Sequence, residues 1–523
     1  METPVSKYWL DIVVAQIEAA HPKGDLIVES GHSPSGNYHV GFLREFIISS
    51  AIAAKLREHG RVAKHLDFVD DFDVLRKVPA NVSPDWERYL GQPLYLVPDP
   101  FGDCHSSYGD HFLGNLYVSL KQLGAEFESM RASVEYPRGI FTDSIEKSLS
   151  RLDDAKRIIA EVSHRQLGED WSPVQILSDQ NSLRDWQYTG WDKAKQVVRY
   201  EAQSGETGEI SYTAGRVKLD WRLDWPARWA FLGISAEPFG RDHASKGGSY
   251  DTGSVLVRDI FGGQPPFPIP YEFVNLLGQT KKMSKSAGDV MTPADALEIM
   301  PPEIVRYFLG KARPAKTLFF DSGLGLYNLV DEYAKVEADA LAGRDNEFKE
   351  AYQFAAQGSF ERKISSVPFS HLVSVYQAAL GNHEVIWRLL ERTGYEAIVR
   401  DQKKVIETEL TFVKNWLEKY APPEVKFTVT DKLSPVELSD DQKAFLAALS
   451  EADLETGLKD AQSAHDLIYE TIQNGPVKPP EAFQALYQVL IGQNSGPRAG
   501  AFLATLAELK GQSWLISRLL LEA

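Results

Sequence analysis

Only one cysteine, Cys104, occurs in the 523 residues of this chain. A single thiol excludes an internal disulfide, and it also excludes a zinc site built from paired CxxC elements. We therefore expect Cys104 to be inert and the chain to hold no structural metal.

Long apolar runs and a targeting segment are also missing. A membrane-spanning helix needs about 20 consecutive apolar residues, and the sequence contains no such run. The N-terminal stretch METPVSKYWLDIVVAQIEAAHPKG predicts an amphipathic helix with acidic residues. It has neither the basic segment nor the small-residue cleavage site of a secretory leader. These absences predict a soluble, cytoplasmic protein.

Positive charge is in deficit, since 56 Lys and Arg residues face 73 Asp and Glu residues and give a net charge of −17. Lysine and arginine usually bind the phosphates of nucleic acids, so this balance counts against a nucleic-acid partner. Net charge is a sum over the whole surface, however, and a local basic face is sufficient to bind RNA. The balance therefore weakens an RNA-binding function without excluding it.

The pattern of apolar residues predicts an α/β chain of about two to four domains. Residues 24–60 predict a strand, a turn rich in Gly, Ser and Pro, and a helix, and RVAKHLDFVDDFD predicts a second buried strand that ends in carboxylates. This βαβ order predicts a parallel sheet, whose ligands bind at the carboxyl ends of its strands. The pattern is lost from about residue 95 to 216, returns until about 309, and becomes helical after about 321.

The segment SPSGNYHVG, residues 33–41, lies where the first predicted strand meets the first helix. A helix N-terminus offers unpaired N–H groups and the positive end of a dipole, and Gly36 and Gly41 would let a bulky ligand approach the backbone. His39 could donate a hydrogen bond to phosphate oxygens as negative charge develops. An ordinary helix-capping turn with an exposed histidine is the alternative interpretation of this segment alone.

A second candidate is KKMSKSAG, residues 281–288. A loop with several lysines and a glycine could close over a triphosphate and neutralise the pyrophosphate during attack on the α-phosphorus. By itself, a lysine cluster is more often a solvated surface loop. The two segments together favour a site for a nucleoside triphosphate.

These two segments resemble the HIGH and KMSKS signatures of class I aminoacyl-tRNA synthetases. Further stretches resemble class I lysyl-tRNA synthetases in nearly the expected order and spacing, namely PSGNYHVGFLRE, DDFDVLRKVP, LDWPARW, EPFGRDHASKGGSYDT, PPFPIPYE, PPEIVRYFL and the C-terminal GPRAGAF. The similarity covers almost the whole chain, which makes it far more specific than an HxG pattern alone.

The resemblance implies an α/β fold: a Rossmann-type parallel-sheet catalytic domain with an inserted connective domain, followed by an all-α C-terminal anticodon-binding domain. The implied parts are the first half of the catalytic domain (1–95), the connective domain (96–216), the second half (217–280), a stem-contact region with the KMSKS loop (281–344) and the helical anticodon-binding domain (345–523). The expected activity is formation of lysyl-adenylate from lysine and ATP with Mg²⁺, then transfer of lysine to the 3′-terminal adenosine of tRNA(Lys). The enzyme is expected to act as a monomer.

The resemblance also implies the site residues. Catalytic roles are expected for His39, Lys282 and Lys285. ATP is expected to contact Ser33, Ser35, Gly36, His39, Gly41, Lys285 and Ser286. Lysine is expected to contact Gly31, Ser33, Trp225, Glu237, Asp242, His243 and Tyr271.

The expected lysine pocket also makes physical sense, because an ammonium group on an aliphatic stem needs an aromatic wall and a carboxylate or π-face. Glu237 and Asp242 are the candidate acids. The alternative is structural: Trp225 and Tyr271 could be core residues, and Asp242 with His243 could form a structural pair.

Two positions depart from the family pattern. Phe42 stands where HIGH has its second histidine, and His32 or Asn37 are the candidate replacements for the lost phosphate donor. Many relatives place the loop lysine two residues later, where this chain has Ala287 and carries Lys285 instead. The cysteine-rich metal elements of some relatives cannot form here.

Three alternative functions stay open. A small-molecule nucleotidyltransferase with an HxGH turn would explain the first segment but would not need the long helical region. A non-catalytic relative that binds tRNA or lysine would keep the fold, although the loop lysines argue against it. A glutamate-specific synthetase would need a basic side-chain pocket, whereas an acidic or aromatic pocket is expected here.

Overall fold

The computed structural model describes residues 8–164, 167–168, 171–277, 291–429 and 436–521. The chain divides into two compact units, one of Met1–Leu297 with Val305–Phe320 and the other of Glu298–Ile304 with Asp321–Ala523. This division is coarser than the five parts implied by the resemblance, and those five parts stay predictions.

Three sheets organise the strands of the described chain. In chain order the strands are β1 (Leu26–His32), β2 (Ala63–Val69), β3 (Glu128–Arg131), β4 (Val174–Ile176), β5 (Trp186–Asp192), β6 (Val197–Ala202), β7 (Thr207–Ser211), β8 (Val217–Leu219), β9 (Ala236–Gly240), β10 (Phe267–Tyr271), β11 (Val274–Leu276) and β12 (Leu318–Phe320). The main sheet has the order β10-β9-β1-β2-β3, and all of its pairings are parallel. The predicted parallel sheet is therefore confirmed.

Helices cover much of the remaining chain. The α-helices are α1 (Trp9–Ala20), α2 (Leu43–Glu58), α3 (Tyr108–Gln122), α4 (Ala132–Glu135), α5 (Thr142–Ser150), α6 (Leu152–Ser163), α7 (Trp221–Leu232), α8 (Ser249–Leu256), α9 (Pro293–Ile299), α10 (Pro302–Gly310), α11 (Gly325–Leu341), α12 (Lys349–Ala356), α13 (Phe369–Ala378), α14 (His383–Leu390), α15 (Glu396–Lys419), α16 (Asp440–Glu451), α17 (Leu454–Gly457), α18 (Ala461–Gln473), α19 (Pro479–Ile491), α20 (Ala499–Lys510) and α21 (Gln512–Leu519). Short 3₁₀ helices span Val40–Phe42, Pro84–Tyr89, Arg241–His243 and Pro423–Val425, and π-helical turns span Val257–Phe261 and Glu391–Tyr395.

The strands of the main sheet have the burial that is typical of a parallel sheet. Strand β9 is buried at every residue, and β2 is buried at every residue except Lys64, as expected for strands covered on both faces. Helix α2 connects β1 to β2 and packs on both strands and on β9. The chain order reverses at β1, which has β2 on one side and β9 on the other, and ligands of such sheets bind at the carboxyl ends beside that point.

The segment predicted as an insertion differs from the sequence-based expectation at its start. Strand β3 lies within residues 96–216 but pairs with β2 as the edge of the main sheet. Its sequence, Glu-Ser-Met-Arg, has no apolar run that would have marked it as a strand of this sheet. The separate antiparallel sheet, in the order β7-β6-β5-β4-β8, begins only at β4.

After β12 the described residues form helices joined by loops, with no strand, as the sequence predicted. One buried cluster in this second unit includes Phe445, Leu449, Ile468, Leu486 and Phe502. Within the described residues, no helix is both long enough and apolar enough to span a bilayer.

Candidate active site

The signature turn begins directly after β1 and leads through the 3₁₀ helix Val40–Phe42 into α2. A β-carbon at Gly41 would lie 2.9 Å from His39 Nδ1 and 3.1 Å from His39 Cε1. The absence of a side chain at Gly41 therefore leaves the space that the His39 imidazole uses. This contact is a physical reason for the His-Val-Gly spacing.

A cavity of about 310 Å³ opens at the carboxyl edge of the main sheet. Four strands contribute to it, because Gly31 is the penultimate residue of β1, Gly240 and Tyr271 end β9 and β10, and Asp70 directly follows β2. His39 from the signature turn and several side chains of α7 complete the wall. The cavity thus lies where the parallel topology predicts a ligand.

Glu45, in the first turn of α2, joins two strand ends at this cavity. Its Oε1 accepts a hydrogen bond from the Gly31 backbone N–H at 3.1 Å, and its Oε2 accepts one from the Tyr271 hydroxyl at 2.5 Å. Burial, followed by the negative charge of Glu45, raises the Tyr271 pKa well above its usual value. The sequence analysis missed Glu45, although a carboxylate one turn after the signature segment was a usable signal.

Glu237 is the second buried acid of the cavity. Its carboxylate accepts hydrogen bonds from the indole N–H of Trp225, at 2.9 and 3.1 Å, and from that of Trp229, at 2.5 Å. Burial raises the Glu237 pKa to about 7, although Arg228 and the two indoles oppose that rise. This carboxyl group can therefore change its charge near neutral pH.

A network of buried charges lies behind these acids. Arg228 Nη1 is 2.6 Å from Glu29 Oε1, and Arg228 Nε is 3.0 Å from Asp224 Oδ1. Lys218 Nζ is 3.2 Å from Asp70 Oδ2, whereas Asp70 Oδ1 is buried and has no hydrogen-bond partner among the described residues. Burial raises the Asp70 pKa to about 7, even with the Lys218 ammonium close by.

Most of the predicted lysine-contact residues come together at this cavity. Those that line it are Gly31, Trp225, Glu237, Asp242, His243 and Tyr271, together with His39 and Gly41 from the predicted ATP set. Ser33, Ser35 and Gly36 belong to the signature turn but are not part of the lining. Lys282, Lys285 and Ser286 lie outside the described residues.

The aromatic cluster around Phe42 bears on the proposed replacement donors. Phe42 packs against the rings of His32 and Tyr38 at centroid distances of 4.9 and 4.8 Å. His32 Nδ1 lies 2.6 Å from the Tyr38 hydroxyl, and His32 Nε2 lies 3.0 Å from Asp67 Oδ1. Both ring nitrogens of His32 therefore face protein groups, which argues against His32 as a phosphate donor.

A separate group of four side chains could hold a metal ion. The ligand atoms of Asp99, Cys104, His105 and His111 all lie within 4.8 Å of one another. Cys104 Sγ is 3.0 Å from Asp99 Oδ2, 3.1 Å from His105 Nδ1 and 3.4 Å from His111 Nδ1. Zinc bonds of about 2.0–2.3 Å in a tetrahedron place the ligand atoms about 3.3–3.8 Å apart, so small adjustments would fit this group to Zn²⁺.

The local structure supports this donor group. Asp99 accepts hydrogen bonds from the backbone N–H groups of Phe101 and His105, and His111 belongs to the first turn of α3. The adjacent Tyr108 donates a hydrogen bond from its hydroxyl to the Ser35 carbonyl at 3.0 Å, which connects this region to the signature turn. The prediction of no structural metal considered paired cysteines alone, whereas here one aspartate and two histidines accompany the single thiol.

Comparisons with known proteins identify the family of this chain. A family model described as tRNA synthetases class I (K) matches residues 7–357. A lysine–tRNA ligase of Archaeoglobus fulgidus is 37% identical over 516 residues, covering 98% of this chain and 99% of that protein. Lysine–tRNA ligase 1 of Methanosarcina acetivorans is 36% identical over 529 residues, covering 95% and 96%. The match to a solved glutamate tRNA ligase from Elizabethkingia meningosepticum covers 95% of this chain and 98% of that one, at 14% identity and with a TM-score of 0.41.

We expect Gly41→Ala to displace the His39 imidazole, because the added carbon would lie 2.9 Å from its Nδ1. Displacing a catalytic group by about 1 Å can cost on the order of 100-fold in rate. ATP–pyrophosphate exchange with lysine, measured with tRNA present, should therefore slow by about that factor while the KM for lysine changes little. Gly190→Ala is the control, since its added carbon would have no neighbour closer than 3.9 Å. An exchange rate equal to that of the control would contradict this role of Gly41.

We expect the purified protein to contain about one zinc ion per chain, because Asp99, Cys104, His105 and His111 offer the four ligands of a tetrahedral site. Cys104→Ser should lose most of this zinc and melt at a lower temperature. Elemental analysis and thermal unfolding, with and without a chelator, provide the measurements. His59→Gln, which changes an exposed histidine away from this group, should keep its zinc. Equal zinc content in Cys104→Ser and the unmodified chain would reject the site.

Proposed function

Because the chain belongs to the class I lysyl-tRNA synthetase family, we infer that it is a lysine–tRNA ligase. It uses ATP to activate lysine as lysyl-adenylate and then esterifies the lysyl group to the 3′-terminal adenosine of tRNA(Lys). The structural observation that supports this chemistry is the cavity at the carboxyl edge of the main sheet, which is lined by acidic and aromatic residues.

The charges around the cavity favour a cationic ligand. Its lining carries five carboxylates, which are Glu45, Asp70, Asp224, Glu237 and Asp242, and one guanidinium, that of Arg228. A glutamate side chain would meet repulsion from most of these groups, whereas a lysine side chain would meet attraction. The cavity therefore supports lysine over glutamate as the amino acid.

We assign the ε-ammonium of lysine to the space bordered by Glu45, Glu237 and the Tyr271 hydroxyl. The indole of Trp225 provides an apolar wall for the methylene groups, and its N–H fixes the Glu237 carboxylate. Lysine also carries an α-ammonium, so its pocket needs a second acid. Asp70, whose Oδ1 has no hydrogen-bond partner in the described chain, fits that requirement.

The first chemical step needs positioning and charge neutralisation, not a side-chain nucleophile. The lysine carboxylate attacks the α-phosphorus of ATP in line, a new P–O bond forms, and pyrophosphate leaves with the electron pair of the broken bond. His39, whose ring lies close to Gly41, is proposed to donate a hydrogen bond to the phosphates. Lys282 and Lys285, with Ser286, are proposed to neutralise the leaving pyrophosphate from the KMSKS loop, while Ser33, Ser35 and Gly36 shape the signature turn.

We propose that Mg²⁺ would bind through the phosphates of ATP and not through carboxylates of the signature turn. The signature turn from Ser33 to Phe42 contains no carboxylate, so the chain offers no oxygen cage for the ion there. Mg²⁺ instead keeps several waters and binds substrate phosphates readily. When bound, it offsets the negative charge that develops on the pyrophosphate.

The second step and its partner extend the proposal to tRNA. The 2′-hydroxyl of the terminal adenosine attacks the carbonyl carbon of lysyl-adenylate, and AMP leaves. The helical region from residue 345 onward is proposed to read the anticodon by stacking and hydrogen bonding to unstacked bases. We propose that one chain suffices for both steps.

Charging assays with each amino acid test the proposed function. The unmodified chain should attach lysine to total tRNA and should not attach glutamate. Glu45→Gln should raise the KM for lysine by about 10- to 100-fold, because a hydrogen bond to a charged group contributes about 1.5–3 kcal/mol. Glu58→Gln alters an exposed position of the same helix and should leave that KM unchanged. Charging of another amino acid in place of lysine would refute the assignment.

Lysine binding should depend on pH through Glu237. Burial raises its pKa to about 7, so the carboxyl group is neutral below that pH and attracts an ammonium group only above it. The KM for lysine should therefore fall as pH rises from 6 to 8, with about a fivefold change between pH 6 and 7 set by the ionised fraction. In Glu237→Gln the KM should be high and should lose this fivefold contribution, so that only the pH dependence due to Asp70, whose pKa is also raised to about 7, is left. The same pH profile in both proteins would show that Glu237 does not control this binding.

A further inference from the structure

The helical unit contains a cavity that the activation chemistry does not use. Its volume is about 920 Å³. Its walls come from the first residues of α13, α18 and α20, from the turn Thr393–Tyr395, and from Phe483 and Tyr487 of α19. All of these residues belong to the second unit.

One side of this cavity is suited to a phosphate group. Arg498 caps the N-terminus of α20, is exposed, and forms no ion pair with the described residues. The first intrahelical hydrogen bond of α20 runs from the Phe502 N–H to the Arg498 carbonyl. The N–H groups of residues 499–501 therefore stay available, and no side chain caps them. A guanidinium beside free helix N–H groups is a favourable place for an anion.

The sequence GPRAG explains why Arg498 is presented in this way. A β-carbon at Gly500 would lie 2.6 Å from the Ala461 carbonyl oxygen and 2.8 Å from the His465 amide nitrogen. A β-carbon at Gly496 would lie 2.6 Å from the Tyr487 ring. The two glycines let this segment pack closely against α18 and α19, and the arginine between them faces the cavity.

The inner part of the cavity is aromatic and polar. Tyr395 lies beside His371, with ring centroids 5.0 Å apart. His371 is only 5% exposed, its Nε2 is 2.9 Å from the Thr393 hydroxyl, and its Nδ1 has no hydrogen-bond partner in the described chain. Burial, together with the positive charge of Arg498, lowers the His371 pKa to about 4, so the ring is neutral at physiological pH. Aromatic faces with a neutral polar floor suit a planar base better than a second charge.

Asp460 is the acidic residue among those that line the cavity, and its side chain caps the N-terminus of α18. Its carboxylate accepts a hydrogen bond from the Ser463 backbone N–H at 2.7 Å, which fixes the first turn of α18. Its charge lies at the positive end of that helix, where it is partly offset. The electrostatic repulsion between Asp460 and a phosphate at Arg498 is therefore weaker than the repulsion from a carboxylate without such an offset.

We propose that this cavity binds one unstacked nucleotide of the tRNA anticodon loop. The base lies against Tyr395 and the polar floor at His371, and the phosphate lies at Arg498 and the N-terminus of α20. The inference rests on the proposed function, because that function supplies tRNA as the partner. It goes further by assigning the nucleotide to specific side chains, which the resemblance does not identify.

Binding of tRNA transcripts, followed by fluorescence anisotropy, tests the proposal without any need for aminoacylation. Arg498→Ala should weaken binding by about 10-fold and reduce the slope of log K against log salt by about one, as for one lost phosphate contact. Tyr395→Leu should weaken binding by about 10-fold through lost stacking. It should also lower discrimination against transcripts in which one anticodon base is replaced. The KM for lysine should not change in either variant.

Arg400→Ala is the matched control, because Arg400 is an exposed arginine of the same unit whose ion-pair partner among the described residues is the neighbouring Asp401. It should bind tRNA as the unmodified chain does. Unchanged tRNA affinity in both Arg498→Ala and Tyr395→Leu would overturn the proposal. The proposal would also be overturned if a free nucleoside monophosphate bound the cavity while both variants kept their tRNA affinity. The site would then bind a small molecule and not tRNA. Failure of the unmodified chain to charge tRNA with lysine would instead reject the proposed function.

Discussion

A buried arginine, Arg228, connects strand β1 with helix α7, and both elements line the acidic cavity. Arg228 pairs with Glu29 on β1 and with Asp224 in the first turn of α7, and its guanidinium lies 4.0 Å from the Phe68 ring centroid. A buried charge costs several kcal/mol unless it is paired, so each member of this group depends on the others. Because 199 residues separate Glu29 from Arg228, their pairing fixes β1 against α7. This contact places Gly31 and Trp225 in the walls of one cavity.

The same constraint explains how a strongly acidic chain can concentrate carboxylates at a binding site. Glu237 is buried near Arg228 and Asp70 is half-buried beside Lys218, and desolvation raises the pKa of both acids toward neutrality. Without these internal cations, burial would keep both carboxyl groups protonated more strongly. A cationic ligand further favours their ionised forms. The cavity thus gains negative charge when it is filled by an ammonium group.

The sequence predicted the elements with strong local patterns. The apolar strands, the signature turn with His39 and the helical second unit follow from periodicity and glycine placement, and six of the seven expected lysine-contact residues line one cavity. Glu45 was missed although it lies one turn after the signature segment, because a carboxylate beside Arg44 on a helix resembles a solvated ion pair. In the structure both side chains are buried, and Arg44 binds the carbonyls of Glu272 and Arg313.

The remaining differences have separate causes. Strand β3 has no apolar run, so only its pairing with β2 reveals it. The group at Cys104 has no second cysteine to mark it in the sequence, because its other members are an aspartate and two histidines. The roles of Lys282 and Lys285 stay predictions, because both residues lie outside the described chain.

The contact between Gly41 and the His39 ring limits how this protein could be re-engineered. Every amino acid other than glycine would place a β-carbon 2.9 Å from the His39 Nδ1, too close for the imidazole to keep its present position. Variation at the acidic and aromatic walls can alter which amino acid is accepted without touching this contact. A library designed to charge unnatural amino acids should therefore randomise the walls around Trp225 and keep residue 41 fixed.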